Sequence, residues 1–513
     1  MKTVIRHLAL GTALGAGALA GTDYLLADEK PRVLSPEDVK KLVEEPRGRA
    51  AETPPAAPGR GGANAANPMG DSKPDKDVAP VKVTDAIAKT EFAVKPKDLS
   101  PAVKKGLEFL VKSQQEDGGW NQGGGWRNAT AGGRVEGKNV EDPSDIGNTC
   151  FVLLALLRAG NTATEGEYKD AVKKGLKFVL AKVEKADKES LYVTDVKGTQ
   201  LQSKIGQYID TFLVNLVLAE YRGKSGDQEK TLVAALEKTM TKIVRHQTAD
   251  GGFAGNAGWA PTLSLGICGR SLVRAREQGA VVDDKVLERV RAQAKGAVEN
   301  TAPAAVAPVA GGPATGTGGA AERAAARPLA GAAGDAGVAL YRFGQGGRNY
   351  QDVVNGLRLD GEKAREILKD QKATKEDKQK AEMKLGELRK AEDENDKVQA
   401  DLAKNLRNEQ FVAGFGNNGG EEFLSFMNIS ETLVLTGGKD WDDWDAKMVK
   451  GLEKAQDKDG SWQGHHCITG RTFCTAGALL VLMADRTPFP LEVIKAAKEK
   501  REKKPEPAPK PEK

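Results

Sequence analysis

Three carboxylates fall within four residues at Asp440-Trp441-Asp442-Asp443. The string directly precedes a helical pattern that runs to Gln456. Asp440, Asp442 and Asp443 therefore read as an N-cap and first-turn acids, favoured by the positive end of the helix dipole. Trp441 and Trp444 are then packing anchors. A second set has donor atoms that suit zinc: Asp145, His465 or His466, and Cys474. Such mixed ligation leaves a coordination position open, but no spacing among these residues is diagnostic. A buried Cys474 with two exposed loop histidines is the plainer expectation. The chain carries no nucleotide loop, nucleophile elbow or zincin motif.

What must position these groups is a recurring unit. Gln114-Gln115-Glu116-Asp117-Gly118-Gly119-Trp120, His246-Gln247-Thr248-Ala249-Asp250-Gly251-Gly252-Phe253 and Gln456-Asp457-Lys458-Asp459-Gly460-Ser461-Trp462 share the pattern Gln-x-x-Asp-Gly-(Gly/Ser)-aromatic. Each closes a helical stretch, and a recurring supersecondary unit implies a fold of stacked copies. In the first copy, Val103, Leu107, Leu110 and Val111 share one helical face, opened by Ser100 as N-cap and Pro101 at the first helical position. Glycine supplies the positive backbone dihedrals after the helix, and the Asp bonds amides in the turn. The aromatic ring pins the turn against a neighbouring helix. The Gln reaches the open backbone end of an adjacent helix. Gln114, Asp117, Trp120, Gln247, Asp250, Phe253, Gln456, Asp459 and Trp462 are thus expected to be structural clamps.

The phrase resembles the repeat of the terpenoid cyclases and protein prenyltransferases, the squalene–hopene cyclase superfamily, over roughly Leu99 to Ala484. The resemblance implies an all-α fold: a single α/α toroid of about six helical hairpins, inner and outer helices alternating around a cavity. Inner candidates, apolar all round as buried helices are, are Gly147–Leu157, Tyr208–Tyr221, Thr262–Gly269, Gly334–Phe343, Phe423–Thr436 and Gly470–Leu482. Outer candidates are Val103–Gln114, Tyr168–Val183, Lys230–Gln247, Asp284–Val298, Tyr350–Leu368 and Trp444–Gln456. In that family a D-x-D-D string protonates an alkene, one acid being kept protonated by its neighbours. Asp440, Asp442 and Asp443 match it by letters but sit at the start of an outer helix. Prenyltransferases carry zinc on Asp, Cys and His at inner-helix ends. Thr472-Phe473-Cys474 is similar to their cysteine segment, while their Asp-x-Cys pair is absent. The Gly-Cys-Gly-Glu-Gln thioester of complement-like toroids is absent too. A cyclase also lines its cavity with aromatic faces to stabilise cations, and this chain is only 5% aromatic.

Composition bounds the rest. The 513 residues carry 77 basic and 72 acidic side chains, a net charge of +5, with no basic stripe interleaved with aromatics, which argues against nucleic acid. Lys2 and Arg6, the apolar run Leu8–Ala20 and the Ala18-Leu19-Ala20 site read as an export signal over 1–20. The run is short for a spanning helix, so cleavage is favoured over an anchor and the chain is placed in the periplasm or cell envelope. Residues 21–98 are expected to be a mostly disordered tether, and 99–485 the toroid. Within it, 301–327 is a flexible Ala/Pro/Gly loop and 360–409 a charged helical insertion with a capping box at Thr374/Asp377. Residues 486–513 are read as a disordered Lys/Pro/Glu tail. Cys150, Cys268 and Cys474 are expected to be buried thiols.

A fold does not fix an activity. The sequence points to an exported non-catalytic binding or scaffolding protein. The alternatives are a divergent terpenoid-cyclase-like enzyme and, second, a zinc-dependent prenyltransferase-like protein. No cofactor is called for. The expected partner is an apolar or protein ligand in the toroid cavity or at its rim, with further protein contact through 360–409.

Overall fold

A computed structural model describes residues 72–126, 134–135, 142–299, 337–416 and 419–503. They belong to one compact unit, Ala66–Lys513, and are mostly α-helical. The helices in chain order are α1 (Pro101–Lys112), α2 (Ile146–Arg158), α3 (Lys169–Lys185), a short α4 (Gln200–Ile205), α5 (Ile209–Glu220), α6 (Glu229–His246), α7 (Thr262–Glu277) and α8 (Asp284–Glu299). They continue with α9 (Ala339–Lys369), α10 (Lys375–Asn405), a short α11 (Glu409–Ala413), α12 (Gly420–Thr436), α13 (Lys439–Ala455), α14 (Arg471–Leu482) and α15 (Leu491–Lys503).

Burial sorts the long helices into two kinds. Every residue of α5 is buried, and α2, α12 and α14 are buried on nearly all faces, as their apolar composition demands. Helix α1 instead buries one stripe, Val103, Gly106, Leu107 and Leu110, behind the Ser100 cap and Pro101. The buried helices pack in a cycle that returns to its start: α2 on α5, α5 on α7, α7 on α9, α9 on α12, α12 on α14, and α14 on α2. Helices α3, α6, α8, α10, α13 and α1 back this cycle, each packing on one or two of its members.

The repeated phrase joins neighbouring backing helices. Gln114 Nε2 donates to Ala171 O of α3 at 2.9 Å and to Gly118 O of its own turn at 2.8 Å. Gln456 Nε2 makes the matching pair, to Ala102 O of α1 and to Gly460 O. The Trp120 indole donates to Leu110 O, ten residues back, and the Trp462 indole to Leu452 O, also ten back. Gly460 has φ 90, and a Cβ there would lie 2.5 Å from Lys105 O. Only glycine permits both the dihedral and the approach.

The fifth hairpin differs from expectation. Of the expected inner segment Gly334–Phe343, residues 334–336 lie outside the described residues, and Ala339–Phe343 joins the expected outer segment Tyr350–Leu368 in the single 31-residue helix α9. Gly344, Gly346 and Gly347, which lie between the two expected segments, are buried within it, Gly344 close to Ser425 O of α12. The expected insertion 360–409 is therefore divided: 360–369 ends α9, and most of the rest is α10, which backs α9 in the outer position. Ala381, Leu388, Ala391, Asn395, Val398 and Leu402 form the buried seam of α10, behind the Thr374/Asp377 capping box.

Two terminal expectations are corrected. Of the tether 21–98, residues 72–98 are built into the fold. Val81 and Ala93 are buried, Val81 N donates to Thr241 Oγ1 of α6, and Thr84 N donates to Gly279 O. Strand β1 (Thr90–Phe92) pairs antiparallel with β2 (Pro488–Pro490), so the expected tail over 486–513 begins as strand β2 and helix α15. Val493 and Ile494 are buried there; the apolar positions were hidden by flanking lysines. The expected export signal 1–20 and loop 301–327 lie outside the described residues. No described helix is long and apolar enough to cross a membrane.

Candidate functional site

The buried helices carry ionisable side chains at both ends, with different chemistry. Toward the C-terminal ends of α2, α5 and α7, charges are paired. Glu431 of α12 receives Arg158 of α2 at 3.4 Å, Arg270 of α7 at 2.6 Å and Arg348 of α9 at 2.5 Å. Glu220, at the end of α5, takes Arg158 at 3.6 Å and Arg274 at 3.4 Å. Arg348 also binds Asp352 at 2.9 Å. Burial alone would raise the Glu431 carboxyl, but the three arginines outweigh it and hold it down to about 2; Glu220 is likewise held well below the carboxylate range by Arg274 and Arg158. Phe489 of β2 closes over this lattice, its ring centroid 5.8 Å from the Arg348 guanidinium. A cavity of about 20 Å³ remains among Glu220, Arg270, Arg348, Asp352 and Phe489.

At the N-terminal ends the balance is acidic. Glu421 and Glu422 occupy the first turn of α12, both buried. Glu422 Oε1 accepts the Tyr341 hydroxyl at 2.6 Å and Phe415 N at 2.9 Å, and Oε2 accepts Gly419 N at 3.0 Å. His466 Nε2 lies 3.4 Å from Oε2. Glu421 Oε2 accepts Ile468 N at 3.2 Å, whereas Oε1 has no hydrogen-bond partner. Burial, then the neighbouring Glu422 charge, pushes the Glu421 carboxyl up to about 8. Both effects favour the protonated form of this acid. Cys467, the one non-glycine residue with positive φ among the described residues (φ 53), sits against it; burial and Glu421 push this thiol up to about 12. Gln200 of α4 reaches the same loop and bonds Cys467 O and Thr469 N. Asp210, at the start of α5, is bonded by Gln202 Nε2 at 2.5 Å and pushed up to about 6 by burial.

Aromatic rings gather on the Glu422 side of the acid pair, where Tyr341 and Phe415 bond its carboxylate. Trp259 meets Tyr341 at 6.0 Å and Phe415 at 5.3 Å between centroids, and Phe415 meets His466 at 5.1 Å. Phe415 is 53% exposed, so the cluster reaches the surface. A buried acid that favours its protonated form can donate a proton or a hydrogen bond. A thiol held protonated is a poor nucleophile.

Of the acids and zinc donors read from the sequence, His466 and Cys474 lie beside this acid cluster, and His466 is half-buried where an exposed loop histidine was expected. Asp440, Asp442 and Asp443 are exposed at the start of α13, and Asp443 pairs with Lys439 at 2.8 Å. Trp441 and Trp444 are buried, the Trp444 indole donating to Ser430 Oγ. Asp145 N-caps α2 through Asn148 N at 2.8 Å and also accepts Asn148 Nδ2 at 2.7 Å. Cys474 is buried with Sγ 3.4 Å from Ile468 O, and His465 is exposed. Among the described residues no group of three or more His, Cys, Asp or Glu is arranged to hold a metal. The clamps do meet their turns: Asp117 accepts Gly119 N and Ser144 Oγ, Asp459 accepts Ser461 N and Oγ, and Asp250 accepts Gly252 N. Gln247 departs from the pattern, with no side-chain hydrogen bond, and Phe253 packs on Phe212 at 4.9 Å.

Glu421, Glu422, Asp210 and the Glu431 lattice were missed. The available signal was a charge inside a run buried on every face, which must be paired or neutralised. Glu220, Arg270 and Glu431 are such charges.

Comparison with protein-family models, with curated proteins and with solved structures found no match.

Proposed function

We propose that the chain is an exported α/α toroid that serves the cell envelope as a non-catalytic binding or scaffolding protein. The cyclic packing order of the buried helices supports the toroid, as does the resemblance of the repeated phrase to the cyclase and prenyltransferase repeat. The observation that carries the function is Glu431, which binds arginines of α2, α7 and α9 at once. A cyclase needs apolar space between its inner helices. Here that interior is crossed by a compensated ionic lattice, which favours a rigid body whose partners meet it at a rim.

A second reading has its own support. Glu421 is buried, its pKa is raised, and it lies close to Tyr341 and Cys467, as a proton-donating acid of a divergent cyclase-like enzyme would. One experiment separates the two. Purified protein is incubated with squalene and with oxidosqualene, and extracts are analysed by gas chromatography with mass detection. The scaffold reading expects no cyclised product above a Glu421→Gln control. Product formed by the parent and lost in that control would establish the enzyme instead. For export, fractionation of cells expressing the full chain should place it in the envelope, and deletion of residues 1–20 should leave it in the cytosol.

A further inference from the structure

Away from the acid pair, helices α7, α8, α9 and α10 leave a cleft of about 170 Å³. For scale, an apolar cavity of about 150 Å³ inside a protein takes up benzene. Val273 and Val353 are buried in its wall, and Leu287 and Leu357 are half-buried there. The wall is thus aliphatic, and its collar is ionic. Arg276 holds Asp360 at 2.6 Å, Lys384 holds Asp284 at 3.3 Å, and Arg291 pairs with Glu387. An apolar pocket with a few polar groups at its mouth is the usual form of a small-molecule site.

Gly356 adds an independent observation. It lies in the interior of α9, where glycine is disfavoured relative to alanine. A Cβ built there would find its nearest neighbour, Val273 Cγ1, at 3.8 Å, an ordinary contact. Packing does not require this glycine. At Gly361, by contrast, a Cβ would meet Leu388 Cδ2 of α10 at 2.8 Å, so close helix approach accounts for it. What a side chain at 356 would do is occupy the cleft.

We infer that this cleft binds a small molecule with a short aliphatic chain, its polar end resting at the ionic collar. The collar is nearly balanced in sign. Lys363 and Glu288, one of each charge, have no ion-pair partner among the described residues. The end group is therefore read from the experiment, while the chain is set by the wall. The inference does not depend on the toroid or on Glu421.

The test titrates octan-1-ol, octanoate and octylamine separately into the full chain, following the melting temperature and, by calorimetry, the affinity. At least one probe is expected to raise the melting temperature with concentration. Gly356→Leu should abolish that shift, with helical circular dichroism retained. Gly356→Ala, which adds one methyl group, should weaken binding severalfold and carries the comparison if the leucine variant does not fold. No shift with any of the three probes overturns the inference. Equal binding by the parent and the Gly356 variants overturns it as well.

Discussion

Gln456 Nε2 donates to Ala102 O at 2.8 Å across 354 positions of sequence, and Gln114 makes the same bond to Ala171 O across 57. The last phrase of the chain treats the first helix as the first phrase treats α3. The correspondence extends to the inner side: Trp120 N donates to Thr149 Oγ1 and Trp462 N to Thr475 Oγ1. A repeat that receives its successor from the opposite end of the chain closes the packing order without a special cap.

Removing that bond should therefore weaken the whole unit. Gln456→Ala is expected to cost about 1 kcal/mol, the usual worth of such a hydrogen bond, and Trp462→Ala about 3–5 kcal/mol. Gln247→Ala should cost less than either, because Gln247 makes no side-chain hydrogen bond. Urea unfolding of the three variants checks the order.

Glu431→Gln would leave three arginines facing an uncharged amide. Breaking a buried ionic group in this way costs about 3–5 kcal/mol. Glu431 is held down to about 2 from an ordinary 4.5. Its contribution is thus present above the ordinary value and lost as pH falls through about 2. Melting curves from pH 5 to 2 should show a decline in the parent that is shallower in Glu431→Gln.

Glu421 acts in the opposite direction. In the fold it keeps its proton up to about 8, whereas the unfolded chain releases it near 4.5. Its contribution is full below 4.5 and disappears as pH rises to about 8. Stability of the parent should fall across that window, and Glu421→Gln should flatten the fall. Parallel profiles for the two proteins would mean that Glu421 is ionised at neutral pH.

Cys467 is the half-buried cysteine, and its thiol is held protonated. Thiolate is the reactive form, so iodoacetamide at pH 8 should label Cys467 roughly tenfold or more slowly in native than in unfolded protein. Glu421→Gln, which removes the facing carboxyl, should speed the native reaction. Peptide mass spectrometry resolves the site.

Much of this architecture was readable from residues. The Gln-x-x-Asp-Gly-x-aromatic phrases located the turns, and the apolar runs located the buried helices, because both signals are local. The fifth hairpin was not. Three glycines lie between the two expected segments, and their burial, Gly344 against α12 and Gly347 beside Val398 and Leu402 of α10, is a tertiary effect. The strap 72–98 carries Val81 and Ala93 too sparsely for any periodicity. The acid pair stayed hidden because Glu421 and Glu422 precede a helical run as ordinary first-turn acids do. Only packing shows that Glu421 is desolvated and Asp442 is not.

Closure of the last repeat on the first is open to direct measurement. Lys105 and Lys458 are both exposed, and Gly460, two residues after Lys458, touches the Lys105 backbone. A short amine-reactive cross-linker applied to monomeric protein, followed by peptide mass spectrometry, reads the distance directly. A closed ring should give an intramolecular Lys105–Lys458 link that is reduced in Gln456→Ala. Its absence, with links confined to helices adjacent in sequence, would mean an open superhelix and no ring.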